Sequence, residues 1–363
     1  MGEKDGRIRM EKKAKKKICI LYTGGTVGMV PTALGYAPKT NYFSQKLREI
    51  PQIRADAMPL YDIVEFDPLL DSSNVGPEQW YQIGSAVQAR YRDYDGFVVL
   101  HGTDTMAYTA SALSFMLEGL EKPVILTGSQ IPLCEIRSDA VDNLVNSLYL
   151  AADGRVREVC IYFANKLLRG CRATKMSSDE LVAFASPNYP ILADVGIRIR
   201  YHEESLKRPG EYSHLPEACM GGGLSLARIG AAPIGLIRLF PGIDLDFYRE
   251  ALCGRYRAVV LEVYGTGNLP SNDEKLLLFL EKAHAGGMLI VVSSQCYQGA
   301  TSIGTYAAGS VLAELGAVDC HDMTTEAVMT KLMYLISKGY GQEKIREEMQ
   351  RDLVGEITET GKE

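Results

Sequence analysis

Short apolar runs that end abruptly in glycine and hydroxyl residues are the most restrictive feature of this sequence. One such run leads into Thr23-Gly24-Gly25-Thr26, and another leads into His101-Gly102-Thr103-Asp104-Thr105. Runs bounded in this way predict buried strands. In open α/β sheets, ligands bind just outside the carboxyl ends of the strands. We therefore expect Thr26 and Thr103 to share one crevice, although 77 positions separate them.

Strand-like and helix-like segments alternate along the first half of the chain, which predicts right-handed crossovers and a mainly parallel sheet. The predicted strands are 18–22, 96–100, 124–127 and 159–163, with a late strand or hairpin arm at 197–201, and the predicted helices are 77–92, 105–117 and 138–152. A second, smaller α/β unit follows. Its predicted strands are 234–238, 258–263 and 288–292, and its predicted helices are 272–285, 325–337 and 343–350.

The chain has 363 residues, which is too many for one ordinary domain. The segment after residue 201 is polar and is interrupted by proline and glycine, which is typical of a linker. We predict a basic disordered tail over 1–17, a larger N-terminal mainly parallel-sheet α/β domain over 18–201, a linker over 202–229 and a smaller C-terminal α/β domain over 230–363.

Charge and cysteine usage exclude several classes of function. The net charge is −6, but residues 1–17 hold eight Lys/Arg and three Asp/Glu, so the remaining chain carries −11. An acidic body argues against a nucleic-acid partner, and no apolar segment is long enough for a membrane span. The eight cysteines form no CxxC pair and the five histidines no metal motif. We expect a cytoplasmic protein without a metal site.

The glycine pair before Thr26 permits a tight turn that brings backbone amides close to a substrate or an oxyanion. A helix N-cap or a phosphate loop is the alternative. The dinucleotide fingerprint fails because position 23 is threonine, and no Gly-Lys-Ser/Thr follows. The next segment, Val27–Tyr36, has small residues and ends in tyrosine, which fits a mobile lid or a surface loop whose tyrosine packs down.

Further polar residues fit amide hydrolysis. Thr103 and Asp104 belong to a run of polar residues longer than a helix cap requires, whereas His101 is more typical of a structural histidine. The segment Asp71-Ser72-Ser73-Asn74 fits substrate binding, although helix capping is a strong alternative. In a crevice, Lys175 would lose hydration and accept a proton near neutral pH, which a weak threonine nucleophile needs. Two threonines and a lysine predict a threonine-nucleophile amidohydrolase.

These motifs in combination resemble the bacterial-type L-asparaginases of the cytosolic type I branch. The resemblance runs from about Ile18 to the C-terminal helices, and its signature segments Tyr22–Met29, Phe97–Leu117 and Val124–Arg137 are intact. It implies hydrolysis of L-asparagine to L-aspartate and ammonia without a cofactor. It also implies a larger N-terminal and a smaller C-terminal α/β domain, assembled as a homodimer or homotetramer.

The resemblance assigns roles to individual residues. Thr26 is implied as the nucleophile and Tyr36 as the lid tyrosine, while Thr103, Asp104 and Lys175 are implied as a proton-handling triad. The implied substrate-binding residues are Gly25, Asp71, Ser72, Ser73, Gly102, Ser129 and Asn268. Of these, Asn268 resembles a residue that reaches a neighbouring subunit's site.

Two positions depart from relatives. In the periplasmic type II branch, a glutamate from the adjacent subunit contacts the lid tyrosine, but no carboxylate occurs here between Cys296 and Glu314, which leaves the partner of Tyr36 open. Some cytosolic relatives bind asparagine at an effector site built with a threonine, an arginine and a cysteine. Thr174 and Cys296 match, but Glu262 occupies the arginine position and would repel an effector's carboxylate.

Two other functions remain as alternatives. The asparaginase-like subunit of a tRNA-dependent amidotransferase carries an extra N-terminal domain, whereas about 17 residues precede the first predicted strand, and the acidic body gives tRNA little attraction. A non-catalytic amino-acid sensor would keep the binding residues and lose the proton-handling ones. The presence of Lys175 argues against the sensor.

Overall fold

The computed structural model describes residues 14–211, 223–246, 248, 255–305 and 309–358. Most of the predicted basic tail lies outside these ranges. Its last two residues belong to the fold instead, because Lys16 Nζ lies 2.8 Å from Asp95 Oδ1 and Lys17 begins the first strand. The prediction of a disordered tail is therefore wrong for Lys16 and Lys17.

Eighteen strands occur in the described residues. They are β1 Lys17–Gly24, β2 Met29–Thr32, β3 Gly35–Pro38, β4 Leu60–Leu70, β5 Gly96–Leu100, β6 Leu117–Glu118, β7 Val124–Thr127, β8 Val159–Phe163, β9 Lys166–Arg169, β10 Thr174–Lys175, β11 Phe184–Ala185, β12 Ala193–Val195, β13 Ile199–Tyr201, β14 Ser225–Leu226, β15 Ile234–Arg238, β16 Ala258–Val263, β17 Leu289–Ser294 and β18 Val318–Asp319.

The α-helices with described bounds are α1 Tyr42–Leu47, α2 Pro77–Arg90, α3 Met106–Met116, α4 Ala140–Asp153, α5 Glu274–Ala285, α6 Ser310–Glu314, α7 Thr325–Ser337 and α8 Gln342–Met349. Short 3-10 helices cover Thr26–Gly28, Ser72–Asn74, Gly170–Arg172 and Glu203–Ser205. Two of these short helices follow directly on β1 and β4, at the carboxyl ends of neighbouring strands.

The larger sheet has eight strands in the order β13-β12-β9-β8-β7-β5-β1-β4. The five strands from β8 to β4 are all parallel, and the other three add antiparallel pairs at the β8 edge. In chain order, the second parallel strand lies on one side of β1 and the third on the other. The winding direction therefore reverses between β1 and β5, and ligand crevices form at such switch points.

The interior of this sheet is apolar because helices cover both of its faces. Every residue of β5, β7 and β8 is buried. Leu113 of α3 and Ile83 of α2 pack against one face of the sheet, and Leu144 and Leu148 of α4 pack against the other. This three-layer arrangement confirms the predicted fold class for the larger unit.

The strand β4 was not predicted from the sequence. It lacks the apolar pattern of a buried strand, because it contains Asp62, Glu65, Asp67 and Pro68. An edge strand tolerates these residues, since its outer side is not buried and not all of its amide groups need to donate. The segment predicted as a lid loop also contains two short strands, β2 and β3, which pair as an antiparallel hairpin. The hairpin replaces an irregular loop because Met29–Thr32 and Gly35–Pro38 bond to each other.

The smaller sheet contains four parallel strands in the order β15-β16-β17-β18. Leu276 and Leu280 of α5 pack on one face, and Leu332 of α7 and Ile345 of α8 pack on the other. Within the segment predicted as a linker, β14 pairs with β6 of the larger unit. Among the described helices, none has both the length and the apolar character needed to cross a membrane.

One ion pair in the smaller unit is fully buried. Lys331 Nζ lies 2.6 Å from Glu356 Oε1, neither side chain is accessible to solvent, and the ammonium also donates to Met349 O at 3.0 Å. Because breaking a buried pair leaves one charge uncompensated, Lys331→Met should lower the free energy of unfolding by about 3–5 kcal/mol.

Urea denaturation followed by circular dichroism measures this loss. The matched control is Lys344→Met, which removes a lysine whose ion pairs are partly exposed and should lower the urea midpoint far less. Equal urea midpoints for the two variants would show that the buried pair contributes no more than a surface pair.

Candidate active site

Closely packed backbone forms the crevice outside β1 and β5. Gly24 and Gly25 have φ angles of 134° and 86°, a region that L side chains rarely adopt. A Cβ atom on Gly25 would overlap the backbone of Gly102. Because Thr26 follows Gly25 and Thr103 follows Gly102, this contact brings the loops that carry both threonines together.

The two threonines of the first motif are in different environments. Thr23 is buried, and its hydroxyl donates to Leu100 O at 2.8 Å, which ties β1 to β5. Thr26 opens a 3-10 helix and is partly exposed. In the part of the chain that the structure describes, no hydrogen bond engages its hydroxyl. Thr23 therefore has a structural role, and the Thr26 oxygen is available to a ligand.

Thr103 and Asp104 of the second motif contact Lys175, as the sequence predicted. Lys175 Nζ donates to Thr103 Oγ1 at 2.9 Å and to Asp104 Oδ1 at 2.7 Å. Thr103 is buried, the Lys175 side chain is 18% exposed and the Asp104 side chain is 67% exposed. The strand β10 places Lys175 there by pairing with β11. The structure thus assembles a hydroxyl, an amine and a carboxylate from two distant segments.

Sequence reasoning missed the side chain of Gln130. Its Oε1 accepts a hydrogen bond from Thr103 Oγ1 at 3.1 Å, and its Nε2 donates to Glu180 O at 3.1 Å. The Thr103 hydroxyl therefore donates to Gln130 while it accepts from Lys175. The only sequence signal was its position just after β7, because the contact joins residues 27 positions apart.

The segment after β4 contributes a third loop to the crevice. Ser72 is buried, its carbonyl accepts from Thr105 Oγ1 at 2.7 Å, and its hydroxyl oxygen lies only 2.5 Å from where a Cβ atom on Gly102 would be. The carboxylate of Asp71 accepts from Ser73 N at 3.1 Å, which is the capping contact considered as the alternative. Asp71 and Ser73 are nonetheless exposed, so they remain accessible to a ligand.

His101 and Ser129 line the inner part of these loops. His101 is buried between Gly102 O at 2.7 Å and Thr109 Oγ1 at 3.0 Å. Burial lowers the pKa of His101 to about 4, so the imidazole is neutral near pH 7 and structural. Ser129 follows β7 and is buried, and its hydroxyl has no hydrogen-bond partner among the described residues. A bound ligand would supply such a partner.

Asn268 lies apart from this group. It closes a tight loop after β16 of the smaller sheet, where Tyr264 and Asn268 exchange two backbone hydrogen bonds of 2.9 Å. Within the described ranges, no hydrogen bond links Asn268 to the threonine loops. The structure of one chain therefore assembles the other predicted substrate-binding residues around the crevice but leaves Asn268 outside.

The predicted lid tyrosine has a partner in its own chain. The Tyr36 hydroxyl donates to Glu135 Oε1 at 2.7 Å, and the Tyr36 side chain is half-exposed. This hydrogen bond is the main reason that the pKa of Tyr36 is raised. Glu135 was not considered from the sequence because it lies 99 positions from Tyr36 and outside the segment 297–313.

The residues of the suggested effector site line one cavity of about 280 Å³, which also contains Lys175. Thr174 Oγ1 donates to Glu326 Oε1 at 2.7 Å, and burial raises the pKa of Glu326. Glu262 is buried, pairs with Arg238 at 3.0 Å and accepts from Thr325 Oγ1 at 2.7 Å. The structure therefore places Thr174, Glu262 and the exposed Cys296 around one cavity. The carboxylates of Glu262 and Glu326 in this cavity are already bonded to protein groups.

A third residue missed from the sequence holds the loop that leads to Lys175. Arg172 is buried, and its guanidinium pairs with Asp322 through bonds of 3.1 and 2.6 Å. It also donates to the carbonyl of Asn188 and the hydroxyl of Thr358, at 2.8 and 2.7 Å. The lysine loop is thus fastened to the smaller unit and to the end of the described chain.

Together these groups provide a free threonine hydroxyl, a second threonine bonded to an amine, and exposed carboxylate and hydroxyl groups that suit an amino acid. In the described ranges, no group of three or more His, Cys, Asp or Glu residues forms a metal-binding cluster. This set is suited to acyl transfer from an amide or ester to water.

Comparison with known proteins shows the family. Residues 17–207 match the family model described as Asparaginase, N-terminal, and residues 233–349 match the model of the Glutaminase/Asparaginase C-terminal domain. L-asparaginase 1 of Escherichia coli K12 is 46% identical over 344 residues, which cover 95% of this chain and 98% of that protein.

One solved structure and one more distant relative illustrate how far this similarity extends. L-asparaginase I from Vibrio cholerae superposes with a TM-score of 0.85 at 42% identity, covering 95% of this chain and 100% of that one. A subunit of the glutamyl-tRNA(Gln) amidotransferase of Methanopyrus kandleri is 30% identical, and the alignment covers 97% of this chain and 77% of that protein. The two family models, the full-length similarity and the shared fold establish that this chain belongs to the asparaginase family.

Proposed function

We propose that this protein is a cytoplasmic type I L-asparaginase, which hydrolyses L-asparagine to L-aspartate and ammonia. The full-length similarity to L-asparaginase 1 supports the substrate, and one feature of the site carries the mechanism: Lys175 bonded to both Thr103 and Asp104 beside the Thr26 loop. A sensor would need no such proton-handling group. The amidotransferase relative is less similar, at 30% identity.

The first half-reaction forms an ester on Thr26. The Thr26 oxygen attacks the carbon of the substrate's side-chain amide, and backbone amides around Gly25 and Gly102 stabilise the oxyanion. The C–N bond then breaks as the nitrogen takes up the proton that the Thr26 hydroxyl has lost and leaves as ammonia. The carbonyl carbon stays bonded to the Thr26 oxygen as a β-aspartyl ester.

The second half-reaction hydrolyses this ester. Lys175 acts as the base: the Thr103 hydroxyl turns from Gln130 towards Lys175 Nζ and gives it a proton, and the Thr103 oxygen draws a proton from the attacking water. Gln130 and Asp104 hold Thr103 and Lys175 in place through the contacts described above. Collapse of the tetrahedral intermediate returns the hydroxyl to Thr26 and releases aspartate.

The substrate's charged α-groups need charged or polar partners. We assign the carboxylates of Asp71 and Asp104 to the α-ammonium group and the Ser72 and Ser73 amide and hydroxyl groups to the α-carboxylate. The unpartnered Ser129 hydroxyl supports a further polar contact there. The position of Asn268 outside the crevice of its own chain supports its proposed reach into the site of a second subunit, and hence a homodimer or homotetramer.

The decisive assay is steady-state release of ammonia from L-asparagine and from L-glutamine by the purified protein. Turnover of asparagine supports the proposal, whereas binding of asparagine without ammonia release would favour the sensor. A salt-dependent shift of tRNA in a gel would favour the amidotransferase function.

Thr26→Ala should reduce kcat by about a thousandfold or more while asparagine still binds, because only the attacking oxygen is lost. Thr26→Ser is the matched control, since it keeps a hydroxyl at the same position and should keep substantial activity. Ammonia release gives kcat, and calorimetry gives binding. An alanine variant that retains most of its activity would exclude Thr26 as the nucleophile.

Lys175→Met should abolish turnover while the fold persists, because the apolar stem remains and the proton acceptor is lost. The control is Lys166→Met, which removes an exposed lysine of β9 and should leave kcat unchanged. Normal kcat in Lys175→Met would exclude Lys175 as the proton acceptor.

The effector cavity should not respond to asparagine. The carboxylate of Glu262 already pairs with Arg238, so an incoming amino-acid carboxylate would meet an ion pair without net charge instead of a free arginine. We expect a near-hyperbolic rate curve, with a Hill coefficient of about 1. Rates measured over a wide range of asparagine concentration check this. A sigmoidal curve that Thr174→Val or Cys296→Ser abolishes would show that the site works without a free arginine.

A further inference from the structure

The β2–β3 hairpin depends on contacts outside itself. It spans residues 29–38, pairs Pro31 with Tyr36, and is largely exposed. An isolated two-stranded hairpin is at best marginally stable in water. The groups that fasten this hairpin to the body of the protein therefore determine where its tyrosine stands.

Three hydrogen bonds fasten the hairpin region to the loop that follows β7, residues 128–139. Leu133 N donates to Val27 O at 3.2 Å, the Cys134 thiol donates to Met29 O at 3.5 Å, and the Tyr36 hydroxyl donates to Glu135 Oε1 at 2.7 Å. The last bond has a charged acceptor, and bonds of this kind are about twice as strong as neutral ones. It is also the bond that reaches the far strand of the hairpin.

The same loop reaches the second catalytic motif at its other end. Its Gln130 side chain accepts from Thr103, as described above. The loop is held in shape by Asp139, whose carboxylate accepts from Gln130 N at 3.1 Å and Ile131 N at 3.0 Å, and by Asn143, which donates to Gly128 O at 3.0 Å. One internally braced loop thus contacts both Thr103 and the tyrosine hairpin.

We propose that Glu135 is a positioning residue that holds Tyr36 and its hairpin at the crevice, so that one loop sets both the lid and Thr103 within a single chain. The catalytic part of this proposal rests on the proposed asparaginase function. The bond also fixes the direction in which Tyr36 donates, since an ionised carboxylate only accepts. The lone pairs of the phenol oxygen are then free to accept a hydrogen bond from a donor in the crevice.

The first experiment measures the contact between Glu135 and Tyr36 in the free protein and needs no enzymatic activity. Glu135→Ala should increase amide hydrogen exchange in residues 29–38 several-fold and leave β5 and β7 unchanged, because the hairpin loses its charged contact. Glu281→Ala, which removes an exposed carboxylate from α5, is the matched control and should change neither region. Unchanged exchange in Glu135→Ala would overturn the proposal whether or not the protein is an asparaginase.

The second experiment is a double-mutant cycle on asparagine hydrolysis. If Glu135 acts through Tyr36, then Tyr36→Phe and Glu135→Ala each lower kcat/KM, and adding Glu135→Ala to Tyr36→Phe lowers it by less than about twofold further. Glu135→Gln, which keeps a hydrogen-bond acceptor, should retain more activity than Glu135→Ala. Fully additive effects would overturn the proposal.

These two readouts separate the possible failures. Wild-type protein without asparagine turnover would overturn the proposed function alone. Hydrogen exchange would still show whether Glu135 holds the hairpin of Tyr36. Cys134 lies next to Glu135 and close to Tyr36, so Cys134→Ser belongs in both experiments. The same exchange and rate changes in Cys134→Ser would show that the thiol holds the hairpin and would overturn the role of Glu135.

Discussion

The crevice depends on the close packing of three backbone loops at the ends of three adjacent strands. Gly25 after β1 meets Gly102 after β5, and Gly102 in turn meets Ser72 after β4. Any side chain at either glycine would force the loops apart. The absence of Cβ atoms therefore lets the three loops approach closely enough to form the floor of the site.

The sequence was a good guide where local patterns carried the information. The apolar runs before Thr26 and Thr103 identified strands that are buried on both faces, and strands of this type read as continuous apolar segments. The reversal of winding between β1 and β5 was not predicted, because it depends on where β4 is placed. That strand is polar and contains Pro68, so it carries none of the usual signals.

Other groups could not have been found from spacing. Gln130, Glu135 and Arg172 act through side-chain contacts with residues 16 to 186 positions away. Such contacts depend on the direction of individual side chains, which periodicity does not encode. Resemblance to relatives also left the partner of Tyr36 open, because the carboxylate that fills this role comes from a different segment of the chain.

The contacts of Arg172 also make the lysine loop depend on distant parts of the chain. Its guanidinium is held by Asp322 and by Thr358, which lie 150 and 186 positions further along the sequence. A fragment limited to residues 17–207 would contain Thr26, Thr103 and Lys175, and with them the whole proton-handling set. It would lack both anchors of the loop that carries the lysine, so the smaller unit supports the site without contributing any of these three side chains.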